Sequence, residues 1–140
     1  MGFYFGKKSL TELNTCERQL KDLARRAISG PLNFSIIEGH RNLERQQLLF
    51  RQGLSQIDGV EVKGQHNYGP SKAFDLVPYP IKIDGVSAWN EPQRFYMLAG
   101  VMLNAAQEMG IRVRWGGDWD GDGSTKDQTF HDLGHYELFN

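Results

Sequence analysis

The amino-acid sequence predicts an α+β fold, a single small domain (1–140) in which a mostly antiparallel sheet is flanked by helices. Three observations lead there. Two long stretches, 10–28 and 92–109, lie between helix start and stop signals. Short runs rich in Val, Ile, Phe and Trp, bounded by glycines and prolines, read as strands, one pair of them as a hairpin. No repeat, low-complexity tract or linker divides the 140 residues, a length that fits one domain.

The first helix is expected over 10–28, opened by Ser9 with Glu12 three residues on, the capping-box spacing, and closed at Gly30-Pro31. Its apolar stripe includes Leu13, Leu20 and Leu23, and Cys16 among them reads as a small core residue. A short strand over 33–38 then delivers Gly39, His40 and Arg41 at its end. A second helix spans 43–52, with Gly53 stopping it. The segment 53–70 is loop-like, and 73–77 reads as a buried strand, bounded by Pro78 and Pro80, that lays Asp75 on a rigid element. Residues 81–86 suggest a hairpin turn. Asn90-Glu91-Pro92 starts the helix that Gly110 ends, and strands over 111–115 and 134–139 complete the sheet.

Sixteen basic residues against seventeen acidic ones leave a formal charge of -1, which gives no overall footprint for nucleic acid or an anionic membrane. With 39% hydrophobic and 24% charged residues the composition is that of a soluble globular protein. The first residues lack the apolar core of a signal peptide and no membrane-length apolar run occurs, so synthesis in the cytoplasm is expected. Cys16 is the only cysteine, which excludes an internal disulfide.

The chemistry is concentrated in two segments, 64–75 and 132–135, which hold two imidazoles and two carboxylates. That is the inventory of a hydrolytic zinc site, where three protein ligands and one open position activate a water near neutral pH. In a strand that alternates from Gly134, His135 and Glu137 share one face while Tyr136 takes the other, so His135 can face a site that Asp75 also faces. Asp132, three residues before His135, is placed to act as general base without coordinating. No HExxH helix is present.

His66, Gly69, Ala73, Asp75, Asp132 and His135 together form a pattern, His-x-x-Gly, a spacer, Ala-x-Asp, then an acidic residue, two residues and a His. It resembles the zinc D-alanyl-D-alanine carboxypeptidases and dipeptidases of the VanX/VanY type, including the L-alanyl-D-glutamate endopeptidases of phage lysins. Motif-level similarity runs from about Phe34 to Leu138. The resemblance implies a LAS-type zinc peptidase fold, one zinc ion held by His66, Asp75 and His135, Asp132 as catalytic acid/base, and Arg41 supporting the oxyanion. It implies a peptidoglycan stem peptide as substrate, cut at L-Ala-D-Glu by a monomeric phage or prophage endolysin that reaches the wall after release from the cytoplasm. A D-Ala-D-Ala carboxypeptidase or dipeptidase of wall recycling is the alternative, and a non-catalytic wall-binding domain the third reading. Gly64 stands where the family often has Ser, and Pro70-Ser71 lengthens the usual spacer.

Asp118, Asp120 and Asp122, with Gly123 after them, match the opening of a calcium loop, although Thr129 stands where such a loop ends in Glu. His131 and His135 are four residues apart, but Gly134 between them disfavours a shared helix, leaving His131 behind the ligands or on the substrate side; His40, next to Arg41, could touch substrate but reads first as a solvated loop histidine. Tyr68, Trp89, Trp119 and Tyr136 are candidate groove aromatics, with Phe74 and Trp115 expected in the core.

Overall fold

The computed structural model describes residues 2–59, 63–124 and 132–139. Among them the chain forms α1 (Lys7–Leu13), α2 (Arg18–Ile28), β1 (Phe34–Glu38), α3 (Leu43–Arg51), β2 (Ala73–Pro78), a small hairpin of β3 (Lys82–Ile83) and β4 (Val86–Ser87), α4 (Pro92–Met109), β5 (Val113–Gly116) and β6 (Asp132–Leu138). The main sheet has the order β1-β2-β6-β5, with every neighbouring pair antiparallel. This is the α+β arrangement expected.

The first helix departs from expectation. It is two helices, broken where Cys16 forms a parallel bridge to Ser71, with Glu17 N donating to Ser71 O at 2.8 Å and Ser71 N to Thr15 O at 2.9 Å. The presumed capping box is not formed, because both residues bond to distant backbone instead. Ser9 Oγ accepts from Ile36 N at 3.0 Å, and Glu12 Oε1 accepts from Gly39 N at 3.0 Å. Helix α1 is thereby tied to β1 and to the turn after it. A side chain at Gly39 would lie 2.4 Å from Thr15 Oγ1 and 2.5 Å from Glu12 O, so the close approach requires glycine.

One face of the sheet packs on α2 and α4 through Leu20, Leu23, Phe74, Leu76, Leu98, Met102 and Tyr136, all at most 1% exposed. Burying each such leucine or phenylalanine stabilises by about 1.5–3 kcal/mol, and the loss of one would also leave a cavity. Cys16 is in this core at 1% exposure, although it sits in the helix break rather than on a helix. The opposite face of β2 and β6 is left to the polar residues of the site. At Gly134 the strands approach so closely that a Cβ would lie 2.5 Å from Leu76 O. Gly134→Ala is therefore expected to lose about 1–3 kcal/mol of stability, read as a fall in Tm, because backbone must move to admit the methyl group. An unchanged Tm would contradict that packing.

Candidate metal centre

The antiparallel register of β2 and β6 sets Asp75 directly opposite His135. Cross-strand partners point to the same face, so both side chains leave the sheet together. His66 enters from a 3-10 turn (Gln65–Asn67) that precedes β2. Three atoms then converge. His66 Nε2 and His135 Nδ1 each lie 3.1 Å from Asp75 Oδ1, and they are 3.2 Å from one another.

The outer nitrogen of each ring fixes which atom faces inward. His66 Nδ1 is 2.7 Å from Gly39 O, an acceptor only, so that nitrogen carries the proton and Nε2 presents its lone pair. His135 Nε2 is 2.8 Å from Glu137 Oε1, which assigns its proton in the same way. Burial opposes ionisation of Glu137, but its bonds to His135 and Arg114 outweigh this and lower its pKa, keeping it an acceptor. Two imidazole lone pairs and a carboxylate oxygen pointing at one another are repulsive unless a proton or a cation sits between them. This donor set fits a metal ion, and His66, Asp75 and His135 form a group that could hold one.

Without an ion, a proton fills the gap. Burial disfavours charge on His135, yet hydrogen bonds to Asp75 and Glu137 and the Asp75 charge prevail and push it up to about 10. Asp75 is likewise opposed by burial but held far below the usual carboxylate range by the His66 charge and by both imidazole hydrogen bonds. Metal must displace that proton. Binding is thus expected to release a proton at neutral pH and to weaken as pH falls. Titration calorimetry in buffers of different ionisation enthalpy would detect the release, and buffer-independent heats would contradict it.

The side chain of Arg41 is 11% exposed and ion-paired. Its Nε lies 2.8 Å from Glu38 Oε1, Nη1 3.0 Å from Gln46 Oε1, and Nη2 3.4 Å from Asp75 Oδ2. The guanidinium is thus fixed by three elements and presents its end to the ligand carboxylate. Asp132 Oδ2 is 3.9 Å from His135 Nδ1, beside the converging atoms but outside bonding reach, and its side chain is 44% exposed. Burial and the Asp75 charge raise its pKa.

Sequence reasoning missed Glu137 and the Gly39 carbonyl, the two groups that aim the imidazoles. Glu137 was legible as sharing the His135 face, but its hydrogen bond across that face has no signature of its own. Glu137→Gln is expected to weaken metal binding by about 10–100-fold with the fold intact, checked by competition with a chelating dye. Unchanged affinity would leave Glu137 with a purely structural part.

Tyr136 is not a groove residue: it is fully buried, packing edge-on against Phe74 at 6.2 Å, because alternation turns it away from His135. Phe74 and Trp115 are buried as expected. Trp119 packs against His135 at 5.4 Å, Trp89 stacks on Phe95 at 5.1 Å, and Tyr68 lies under two lysines. His40 is exposed and shares a hydrogen bond with Tyr68 O at 2.8 Å. His131 and Thr129 lie outside the described residues. Asp118, Asp120 and Asp122 form a second group, with ligand atoms within 4.8 Å of one another. The backbone N–H groups of Gly123, Asp122 and Ser124 donate to Asp118, Asp120 and Asp122, respectively.

The model of the family described as phage L-alanyl-D-glutamate peptidase matches residues 1–139. The L-alanyl-D-glutamate peptidase of Escherichia phage T5 is 33% identical over 142 residues, covering 99% of each chain. The solved structure of the Serratia marcescens L-Ala D-Glu endopeptidase ChiX superposes with a TM-score of 0.74 at 29% identity, over 97% of this chain and 90% of that one.

Proposed function

Because the chain belongs to the phage L-alanyl-D-glutamate peptidase family, we propose that it is a zinc-dependent endolysin that hydrolyses the L-Ala-D-Glu bond of peptidoglycan stem peptides. The observation that carries this is the convergence of two imidazole nitrogens and one carboxylate oxygen within 3.2 Å, with a further carboxylate, Asp132, standing beside them. Two nitrogen ligands and one oxygen suit zinc better than calcium or magnesium, which favour oxygen alone. A structural zinc usually has four closed protein ligands, so three argue for catalysis over a wall-binding role.

Zinc held by His66, Asp75 and His135 would supply Lewis acidity, bringing a water pKa to about 7 and polarising the scissile carbonyl. Asp132 accepts the proton that water loses on attacking the carbonyl carbon. As the carbon–nitrogen bond breaks, Asp132 returns the proton to the leaving amine of D-Glu. Arg41 donates from Nη2 toward the negative charge that develops on the carbonyl oxygen, a role its buried, triply tethered guanidinium supports. Among the described residues no helix is long and apolar enough to cross a membrane, and action on the wall after release from the cell, as a monomer, belongs to the same reading.

Mass spectrometry of fragments from purified peptidoglycan tests this. Peptides beginning with D-Glu are expected, and EDTA should abolish their release. Free D-Ala in their place would establish the carboxypeptidase reading instead.

The carboxylates of Asp118, Asp120 and Asp122 support a second, calcium site. Burial and the hydrogen bonds with Asp120 and Asp122 push the Asp118 pKa up, and a cation bound there would favour its charged form. Terbium luminescence sensitised by the adjacent Trp119 is expected to report the site and to be lost in Asp120→Ala. No signal at about 10⁻³ M, the weak end of protein calcium sites, would discard it.

A further inference from the structure

Four cations gather beside the metal centre around two aromatic rings. Lys63 and Lys72 both lie over the Tyr68 ring, with Nζ 4.3 Å and 4.4 Å from its centroid. Arg112 and Arg114 both lie over Phe139, at 4.8 Å and 5.2 Å. The chain as a whole has a formal charge of -1. Among the described residues only Arg114 of the four has a carboxylate partner, Glu137 at 3.2 Å. The rings hold like charges near one another by their quadrupoles but do not neutralise them. An anion arriving between the pairs would.

There is room for one. Two adjoining hollows of about 480 Å³ and about 420 Å³ share Gln65 and Phe139 in their walls, the first reaching Lys72 and Arg112 and the second Lys63 and Arg114. Glu17 is the only other acidic residue among those lining them besides Glu137. The floor is rigid: Lys72 N donates to Gln65 O at 3.0 Å, Leu138 N to Lys72 O at 2.8 Å, and Gln65 Nε2 to Leu138 O at 2.7 Å.

One side chain joins the cations to the site. Glu137 holds His135 with Oε1 and Arg114 with Oε2. One imidazole and one carboxylate thus separate the converging ligands from the first cation, a span covered by two or three residues of extended peptide at about 3.3–3.6 Å each. A peptide that extends two or three residues past the cut brings its C-terminal carboxylate to that distance.

We propose that Lys63, Lys72, Arg112 and Arg114 form an anion subsite for the free carboxylates on the leaving side of the wall peptide. The inference rests on the proposed peptidase activity. It makes the enzyme selective for stem peptides whose carboxylates are free over those in which they are amidated.

The test compares two synthetic stem peptides that end two residues past the cut and differ only in whether that terminal carboxylate is free or amidated. A charge-assisted contact predicts that the native enzyme prefers the free acid by about 10–100-fold in kcat/KM, mainly through KM. Lys72→Gln with Arg112→Gln should reduce that preference to less than about threefold, and Lys72→Arg should retain it. Equal loss on both peptides, or a preference that survives the double substitution, would overturn the subsite while leaving the peptidase reading intact. Cleavage of neither peptide by the native enzyme would overturn both.

Discussion

Asp75→Ala is expected to remove bound zinc and peptidase activity together. Asp75 Oδ1 is the point where the site closes, 3.1 Å from both His66 Nε2 and His135 Nδ1, and it is the only negative charge among the three converging atoms. Two neutral imidazoles left alone bind a divalent cation far more weakly, since the site loses one of three ligands and its compensating charge. The other oxygen, Oδ2, faces Arg41 Nη2 at 3.4 Å, so the substitution also removes a partner from a guanidinium that is only 11% exposed. Breaking a buried pair by deleting one member is destabilising. Asp75→Asn separates the two effects, because it keeps the volume and a hydrogen-bond acceptor while discarding the charge. Elemental analysis should find near-zero zinc in both variants, with turnover at background, and circular dichroism should show the Asn variant folded. Zinc retained at one equivalent in a folded Asp75→Asn protein would remove Asp75 from the ligand set.

What was legible in the sequence follows from the range of the forces involved. Gly53 and Gly110 end α3 and α4 with φ of +73° and +69°, a local requirement that local sequence records. Strand alternation put His135 and Glu137 on one face and Tyr136 on the other, so the burial of Tyr136 was already implied by the pattern that placed the histidine. The break between α1 and α2 was not legible. Ser9 and Glu12 have capping-box spacing, and only their tertiary partners, Ile36 N and Gly39 N, decide against it.

The candidate site shows the same division. Which residue types hold a metal is a matter of composition and spacing, and His66, Asp75 and His135 do converge. How they are aimed depends on contacts made far along the chain. Glu12 holds Gly39 N, Gly39 O meets His66 Nδ1, and the register of β2 with β6 brings Asp75 opposite His135. None of these pairings has a sequence motif, since each joins groups far apart in the chain through folding. Arg41 was singled out by resemblance, but its neutralisation by Glu38 and Asp75 is a fact of packing.

Asp132→Ala, by contrast, is expected to keep the metal and lose the chemistry. Its Oδ2 stands 3.9 Å from His135 Nδ1, too far to be one of the converging donors, and its side chain is 44% exposed to solvent. A group so placed can take a proton from the attacking water and deliver it to the amine, a contribution of about 10²–10⁴-fold in rate. Removing it should therefore lower kcat by about that factor while KM for the stem peptide and zinc content stay near native values. Asp132→Asn should behave alike, since the amide preserves shape but has no basic oxygen of comparable strength, which distinguishes lost proton transfer from a lost contact. If zinc content fell in step with activity, Asp132 would be acting through the ligands rather than on the substrate. If kcat were preserved, the proton would have to leave by another route, and the placement of Asp132 beside the converging ligands would be incidental to catalysis.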